Sequence, residues 1–425
     1  MFLYVVKPND TLYKLSIKYQ VNINNLIRDN GISDPSKLAV GQCLIIRASN
    51  FTYVVKKGDS LYQISVRTGV PVAQILKYNP NIKDPSSIQV GDEIKIVYDN
   101  ENKVPKEING YAYPTINREV LAKTLPHLTY ITIFSYHIKS DGSIVNINDE
   151  DIIESARKMR VAPLMSITNI GEKGTFNSDL AHEILSSPTL QDKLLDNIIE
   201  NAKRKNYYGV NFDFEYVYPE DRENYNNFLE KASKRLNEEK LLMVTAIAPK
   251  YRANQKGLLY EAHDYPVHGK FADRVVIMTY EWGYTYGPAL PVAPINRVMD
   301  VIDYAVTAIP SKKILMGIPN YGYDFKVPHV EGQAADSVSN NEAVDIAIRV
   351  GAEIKYDEEA QTPYFDYVEG TQKHRVYFED PRSIAAKIQL AIEFQLGGLN
   401  YWTLKDFFPQ NWVLVDYYLN VIKKI

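Results

Sequence analysis

Between residues 208 and 215 the chain reads Tyr-Gly-Val-Asn-Phe-Asp-Phe-Glu. Side chains of a strand alternate between its faces, so Asn211, Asp213 and Glu215 share one face while Val210, Phe212 and Phe214 share the other. The apolar face suits burial against helices. Two carboxyl groups held close on the polar face repel, and the repulsion raises the pKa of one until it keeps its proton near neutral pH. A protonated carboxyl beside an anion is the equipment of general acid catalysis. An acidic strand end capped by water has the same spelling, so context has to separate the two readings.

That context begins with the elements that carry the pair. From residue 109 onward, short apolar or β-branched runs alternate with longer helical patterns, which predicts an α/β fold with a parallel sheet. Eight runs stand out: Gly110 to Tyr113, Tyr130 to His137, Val161 to Thr168, Gly209 to Glu215, Leu242 to Ala248, Arg274 to Tyr280, Lys313 to Ile318 and Gly398 to Trp402. Eight strand-helix units over residues 109–425 predict a (β/α)8 TIM barrel, whose plain form needs about 250 residues. The surplus is expected as a small α+β insertion at about 323–383, with strands Thr362 to Tyr367 and His374 to Phe378. An open doubly wound sheet is the competing fold, but no Gly-rich phosphate turn follows the first run. Chemistry in such barrels sits at the C-terminal strand ends, where Asp213 and Glu215 fall.

The barrel region resembles glycoside hydrolase family 18, whose mark is Asp-x-x-Asp-x-Asp-x-Glu at the end of strand four. Asp213 and Glu215 match its last two positions, whereas Tyr208 and Asn211 stand where acids are usual. An amide at residue 211 leads us to expect an Asp213 that stays ionised and aimed at substrate, with an altered pH profile. Met278-Thr279-Tyr280-Glu281-Trp282, Gly317-Ile318-Pro319-Asn320-Tyr321-Gly322 and Trp402 also agree with the family. The resemblance implies a substrate-assisted retaining glycosidase, one of the exceptions to the two-carboxylate scheme. Glu215 would be the acid, Asp213 would orient the substrate's acetamido group, and Tyr280 would hydrogen-bond that group's oxygen. Trp402 would floor the pocket, with Asn211, Glu281, Trp282 and Tyr321 lining it. A conventional route would recruit Glu281 or Asp324 as nucleophile. His137 can be read as a substrate contact or as a core histidine.

The front of the chain is duplicated. Tyr4-Val5-Val6-Lys7-Pro8-Asn9-Asp10-Thr11-Leu12-Tyr13 aligns with Tyr53-Val54-Val55-Lys56-Lys57-Gly58-Asp59-Ser60-Leu61-Tyr62, and later Val40-Gly41 aligns with Val90-Gly91. Each copy reads as strand, two short helices, strand, with caps at Asp10-Thr11 and Asp59-Ser60 and apolar stripes Leu12, Leu15, Tyr19 and Leu61, Ile64, Thr68. Closing strands are expected at Cys43 to Ile46 and Glu93 to Val97. Both copies resemble LysM modules, the βααβ domains that bind polymers containing N-acetylglucosamine, at 1–48 and 50–98. By that resemblance the glycan grooves lie between Asp10-Thr11-Leu12 and Asn30-Gly31-Ile32, and between Asp59-Ser60-Leu61 and Asn79-Pro80-Asn81-Ile82. Asn9 replaces Gly58 in the first copy, so its loop is expected to fit less well. Two linked weak sites would raise avidity on a repetitive polymer. The polar stretch 99–108 reads as a linker.

Composition bounds the rest. Lys and Arg against Asp and Glu give 12 minus 8, or +4, over residues 1–100, and 36 minus 44, or −8, beyond. So thin and scattered a positive charge argues against nucleic acid as a partner. The 32 Tyr against 14 Phe suit a surface that stacks on sugars. One cysteine, Cys43, rules out an intramolecular disulfide, and seven scattered His residues suggest neither metal nor cofactor. No apolar run of membrane-spanning length occurs, and the start MFLYVVKPND lacks the basic and apolar regions of a signal peptide. Paired modules, that start and the Gly-Val-Asn-Phe-Asp-Phe-Glu strand resemble spore cortex-lytic N-acetylglucosaminidases. The resemblance implies a monomeric hydrolase acting on peptidoglycan glycan strands, made in the mother cell without an export signal and laid onto the spore. A chitinase and a silent glycan-binding coat protein are the alternatives.

Overall fold

The structure is a computed structural model and describes residues 1–48, 50–68, 70–98 and 103–425. Eight parallel strands form the predicted barrel in sequence order: Val104–Ala112, Tyr130–His137, Ala162–Thr168, Gly209–Asp213, Leu242–Ile247, Arg274–Ile277, Ile314–Pro319 and Gly398–Trp402. The last pairs with the first, Leu399 opposite Ile108, which removes the open edges of the sheet. A short strand, Leu419–Val421, runs beside the start of the first.

The fourth strand alternates as its sequence demands. Val210, Phe212 and Phe214 are fully buried outside the barrel wall, where Phe212 meets Phe228 edge-on at 5.3 Å and Phe214 stacks on Tyr225 at 5.8 Å. Both partners lie on the helix Arg222–Glu238. Aromatic pairs of this kind add roughly 0.5–1.5 kcal/mol each beyond area burial, so the helix holds the strand that carries the acids.

Three barrel-strand boundaries differ from expectation by two residues or more. The first strand starts at Val104 instead of Gly110, so residues 104–108 of the expected linker are barrel wall, while 99–102 lie outside the described residues. Its opening residues look polar because Glu107 is buried against Arg274 and Lys424, with Nη2–Oε1 and Nζ–Oε1 contacts of 2.6 Å. Strands four and six stop at Asp213 and Ile277, which leaves Glu215 and Tyr280 in the loops just beyond.

The insertion is a five-stranded antiparallel sheet built from Gly322–Val327, Asp336–Val338, Lys355–Asp357, Thr362–Glu369 and Gln372–Tyr377. The helix Asn340–Val350, opened by a Ser339/Glu342 capping box, packs Ala343 and Ala347 on Phe365, Val376 and Phe378.

Each front module is an antiparallel pair with two helices. In the first, Phe2–Val5 pairs with Cys43–Ile46, and in the second Asn50–Val54 pairs with Glu93–Val97. The helices are Leu12–Tyr19 and Ile23–Asp29, then Leu61–Thr68 and Val72–Tyr78. Asn9 adopts φ 67°, close to the 85° of Gly58, because asparagine tolerates the left-handed region. The two loops therefore keep the same backbone sense. Phe2 of the first module lies 5.8 Å from Phe51 and 5.4 Å from Tyr98 of the second.

Candidate active site

The loops at the C-terminal ends of the strands surround a cleft of about 860 Å³, the size of a small-ligand site. Asp213, Glu215, Tyr280, Glu281, Trp282 and Trp402 line it together, from strands four, six and eight and the loops that follow them. His137, left open by the sequence, also faces this space.

Burial raises the pKa of Asp213 to about 7. Burial also raises Glu215 well above the usual carboxyl range, and the charges of Asp213 and Glu281 add to it. Both causes favour the protonated form of Glu215, the form a general acid needs. Burial opposes the charge on Asp213, and its Oδ1 is buried without a hydrogen-bond partner among the described residues.

Asn211, expected to line the site, lies instead a layer below, fully buried, with Nδ2 donating to Ser166 Oγ at 3.2 Å. The strand's two-residue period puts it on the Asp213 face but deeper in the barrel. Tyr321 likewise stands behind the lining and donates its hydroxyl to Glu281. Tyr323 adds a second donor to the same oxygen at 3.2 Å. Glu281 sits at φ 68° and Tyr216 at φ 54°, left-handed backbone that non-glycine residues seldom adopt and that gathers at functional sites.

Asp324 is not available as a nucleophile. Its carboxylate accepts from Tyr367 Oη at 2.5 Å and pairs with His374 Nδ1 at 2.8 Å within the insertion sheet, away from the cleft lining.

Trp402 packs edge-on against Phe134 at 5.0 Å and Tyr111 at 5.3 Å, which fixes its ring in the cleft lining. Gly317 makes room for Tyr280: a Cβ there would lie 2.7 Å from the ring's Cε1. Asn169, just past strand three, was missed by sequence reasoning. It binds both main-chain groups of Glu215, and a lone asparagine after an apolar run offers no signal of that role.

In the modules, most of the expected groove residues serve the fold. Asp10 accepts from Tyr4 Oη at 2.7 Å and Lys7 N at 2.8 Å, and Asp59 accepts from Tyr53 Oη and Lys56 N, both at 2.8 Å. Asn30 and Asn79 are buried staples onto Ile45 and Lys95 of the closing strands. Leu12 and Leu61 are core. Thr11 and Ser60 are exposed helix caps, and Ile32 and Ile82 are half-buried, so these four keep surface to offer.

Comparison with known proteins matches residues 96–406 to glycosyl hydrolases family 18 and residues 4–47 and 53–97 to the LysM domain. The chain belongs to glycosyl hydrolases family 18. It is a glycosidase with two LysM domains ahead of its barrel. It is 40% identical to the cortical fragment-lytic enzyme of Bacillus subtilis (strain 168), over 100% of this chain and 99% of that protein. The cortical fragment-lytic enzyme of Bacillus anthracis is 38% identical, over 99% and 98%. Among solved structures, the spore cortex-lytic enzyme SleL of Bacillus cereus superposes with a TM-score of 0.88 at 37% identity, covering 99% of this chain and 98% of that one. SleL of Bacillus megaterium QM B1551 gives 0.87 at 37%, covering 100% and 99%. A family 18 barrel with this cleft gives Asp213, Glu215 and Tyr280 a common setting for glycoside chemistry.

Proposed function

We propose that this glycosidase hydrolyses the bond following N-acetylglucosamine in spore-cortex peptidoglycan, within fragments opened by another lytic enzyme during germination. The observation that carries the reading is that a half-buried Glu215, whose proton is held more tightly than a free carboxyl's, lines one cleft together with Asp213, Tyr280 and Trp402. Glu215 gives its proton to the glycosidic oxygen as the C1–O bond breaks. The carbonyl oxygen of the sugar's own acetamido group attacks C1 and forms an oxazolinium ion. Asp213 holds the acetamido N–H and balances the positive charge, while Tyr280 donates to the acetamido oxygen. Water then attacks C1, the C1–O bond of the oxazolinium breaks, and Glu215 takes the water's proton back. Anomeric configuration is retained, and no protein nucleophile is needed.

The cortex as substrate is supported by near full-length likeness to proteins named for cortical fragments. We further read the enzyme as a monomer made in the mother cell and deposited on the spore, which a fluorescent fusion followed through sporulation tests. For the chemistry, mass spectrometry of muropeptides released by the unaltered enzyme and by Glu215→Gln is the test. Reducing ends at N-acetylglucosamine that vanish with Glu215→Gln support the reading. Release from chitin but not from cortex, or cleavage of substrate lacking the acetamido group, contradicts it.

A further inference from the structure

The duplication provides an internal control, because matched residues of the two modules meet different surroundings. Before the closing strand the first module reads Ala39-Val40-Gly41-Gln42-Cys43 and the second Gln89-Val90-Gly91-Asp92-Glu93. Ala39, Gln42 and Cys43 are buried, whereas Gln89, Asp92 and Glu93 are exposed. A Cβ on Gly41 would sit 1.8 Å from the Ile354 carbonyl oxygen, while a Cβ on Gly91 would meet nothing within 4 Å.

What covers the first module is the enzyme body. Ile354 N donates to Val40 O at 2.9 Å, and Ala39 shares a core with Val338, Ala343 and Phe365 of the insertion. Gln410 Nε2, from the helix Pro409–Tyr418, donates to Asn30 Oδ1 at 2.8 Å and Cys43 O at 2.9 Å. Ser33 Oγ donates to Asp345 at 2.7 Å, and Gly31 abuts Pro409.

The Asn30-Gly31-Ile32 loop is one wall of the groove expected in this module. The cavity left between it and residues 341–348 and 410 is about 20 Å³, room for about one water and not for a sugar ring. In the second module Pro80 and Asn81, on the equivalent wall, are exposed.

We infer that only the second LysM domain takes glycan, and that the first is a rigid joint fixing it to the barrel. The polar-for-apolar exchange between residues 39–43 and 89–93 is what such a division requires: one copy surrenders its loop to an interface, and the other stays solvated. The consequence is single-site retention held at a fixed orientation to the cleft, in place of two-site avidity.

This rests on the reading that the domains bind wall glycan. The test uses the full chain carrying Glu215→Gln, so that the wall is not digested, and measures retention on insoluble cortex peptidoglycan. Thr11→Arg and Ser60→Arg are a matched pair, each removing an exposed helix cap and adding the same bulk. Ile32→Arg and Ile82→Arg form a second pair, with thermal unfolding confirming that each variant is folded. The expected result is at least a tenfold loss of retention for Ser60→Arg and Ile82→Arg, and less than twofold for Thr11→Arg and Ile32→Arg. Equal losses in both modules, or no loss from the second, overturn the inference. Failure of the parent chain to be retained overturns the glycan-binding reading itself.

Discussion

The side chain of Asn169 grips the main chain of Glu215 from both sides: its Oδ1 accepts from Glu215 N at 3.0 Å and its Nδ2 donates to Glu215 O at 2.8 Å. Glu215 lies beyond the last hydrogen-bonded residue of its strand, so the sheet does not position it. The grip from the end of the neighbouring strand supplies what the ladder no longer provides. Asn169→Ala should lower kcat by roughly 10–100-fold with little change in KM, since a displacement near 1 Å at a reacting group costs on that order. Steady-state kinetics on purified cortex fragments checks it, and a change confined to KM would contradict it.

The two carboxyl groups make opposite demands on pH. In the proposed mechanism Asp213 acts ionised, so activity should rise as pH passes through about 7, and it should fall again where Glu215 loses its proton. Asp213→Asn removes a charge that raises Glu215, so the surviving activity should lose its alkaline limb at lower pH than the parent. A pH profile of kcat/KM for both proteins decides this.

Stability should respond in the same variant. The folded-state pKa of Asp213 is raised, so its contribution to stability is intact below about 4 and is lost as pH rises toward 7. Asp213→Asn should therefore melt higher than the parent at pH 7.5, by roughly 3 °C or more, and at the same temperature at about pH 3. Paired melting curves at the two pH values test the sign.

Gly317→Ala should impair catalysis through Tyr280. The added methyl would fall 2.7 Å from the Tyr280 ring and 2.7 Å from the Ile277 carbonyl, closer than atoms pack, so the ring must shift. We expect kcat/KM to drop roughly tenfold or more, the scale of a misplaced transition-state contact. A crystal structure of the variant should show the hydroxyl displaced.

Lys387 and Glu379 form an ion pair at 2.9 Å with both side chains almost wholly buried. Lys387→Met should destabilise the chain by roughly 3–5 kcal/mol, because Glu379 is left in an apolar site. The double variant Lys387→Met/Glu379→Leu should recover most of that loss. Urea titrations of the three proteins measure it.

Much of this molecule is written in local pattern. The alternation of residues 208–215 fixed which side chains face the barrel, and helical and β-branched periods gave the eight strands, because side-chain direction along a strand follows from backbone geometry alone. The duplication announced two modules of the same build. What pattern could not show was partnership across the fold. Glu107 looked like linker until Arg274 met it, Asp324 stood as one nucleophile for the alternative route until Tyr367 and His374 claimed it, and Tyr321 proved to brace Glu281. Asn30 and Asn79 align in the sequence, yet only the first is covered by Gln410, from a helix 380 residues away. Local propensity acts between neighbours in the chain, whereas burial, pKa and access are set by whatever the closed barrel brings alongside, and that was decided only in three dimensions.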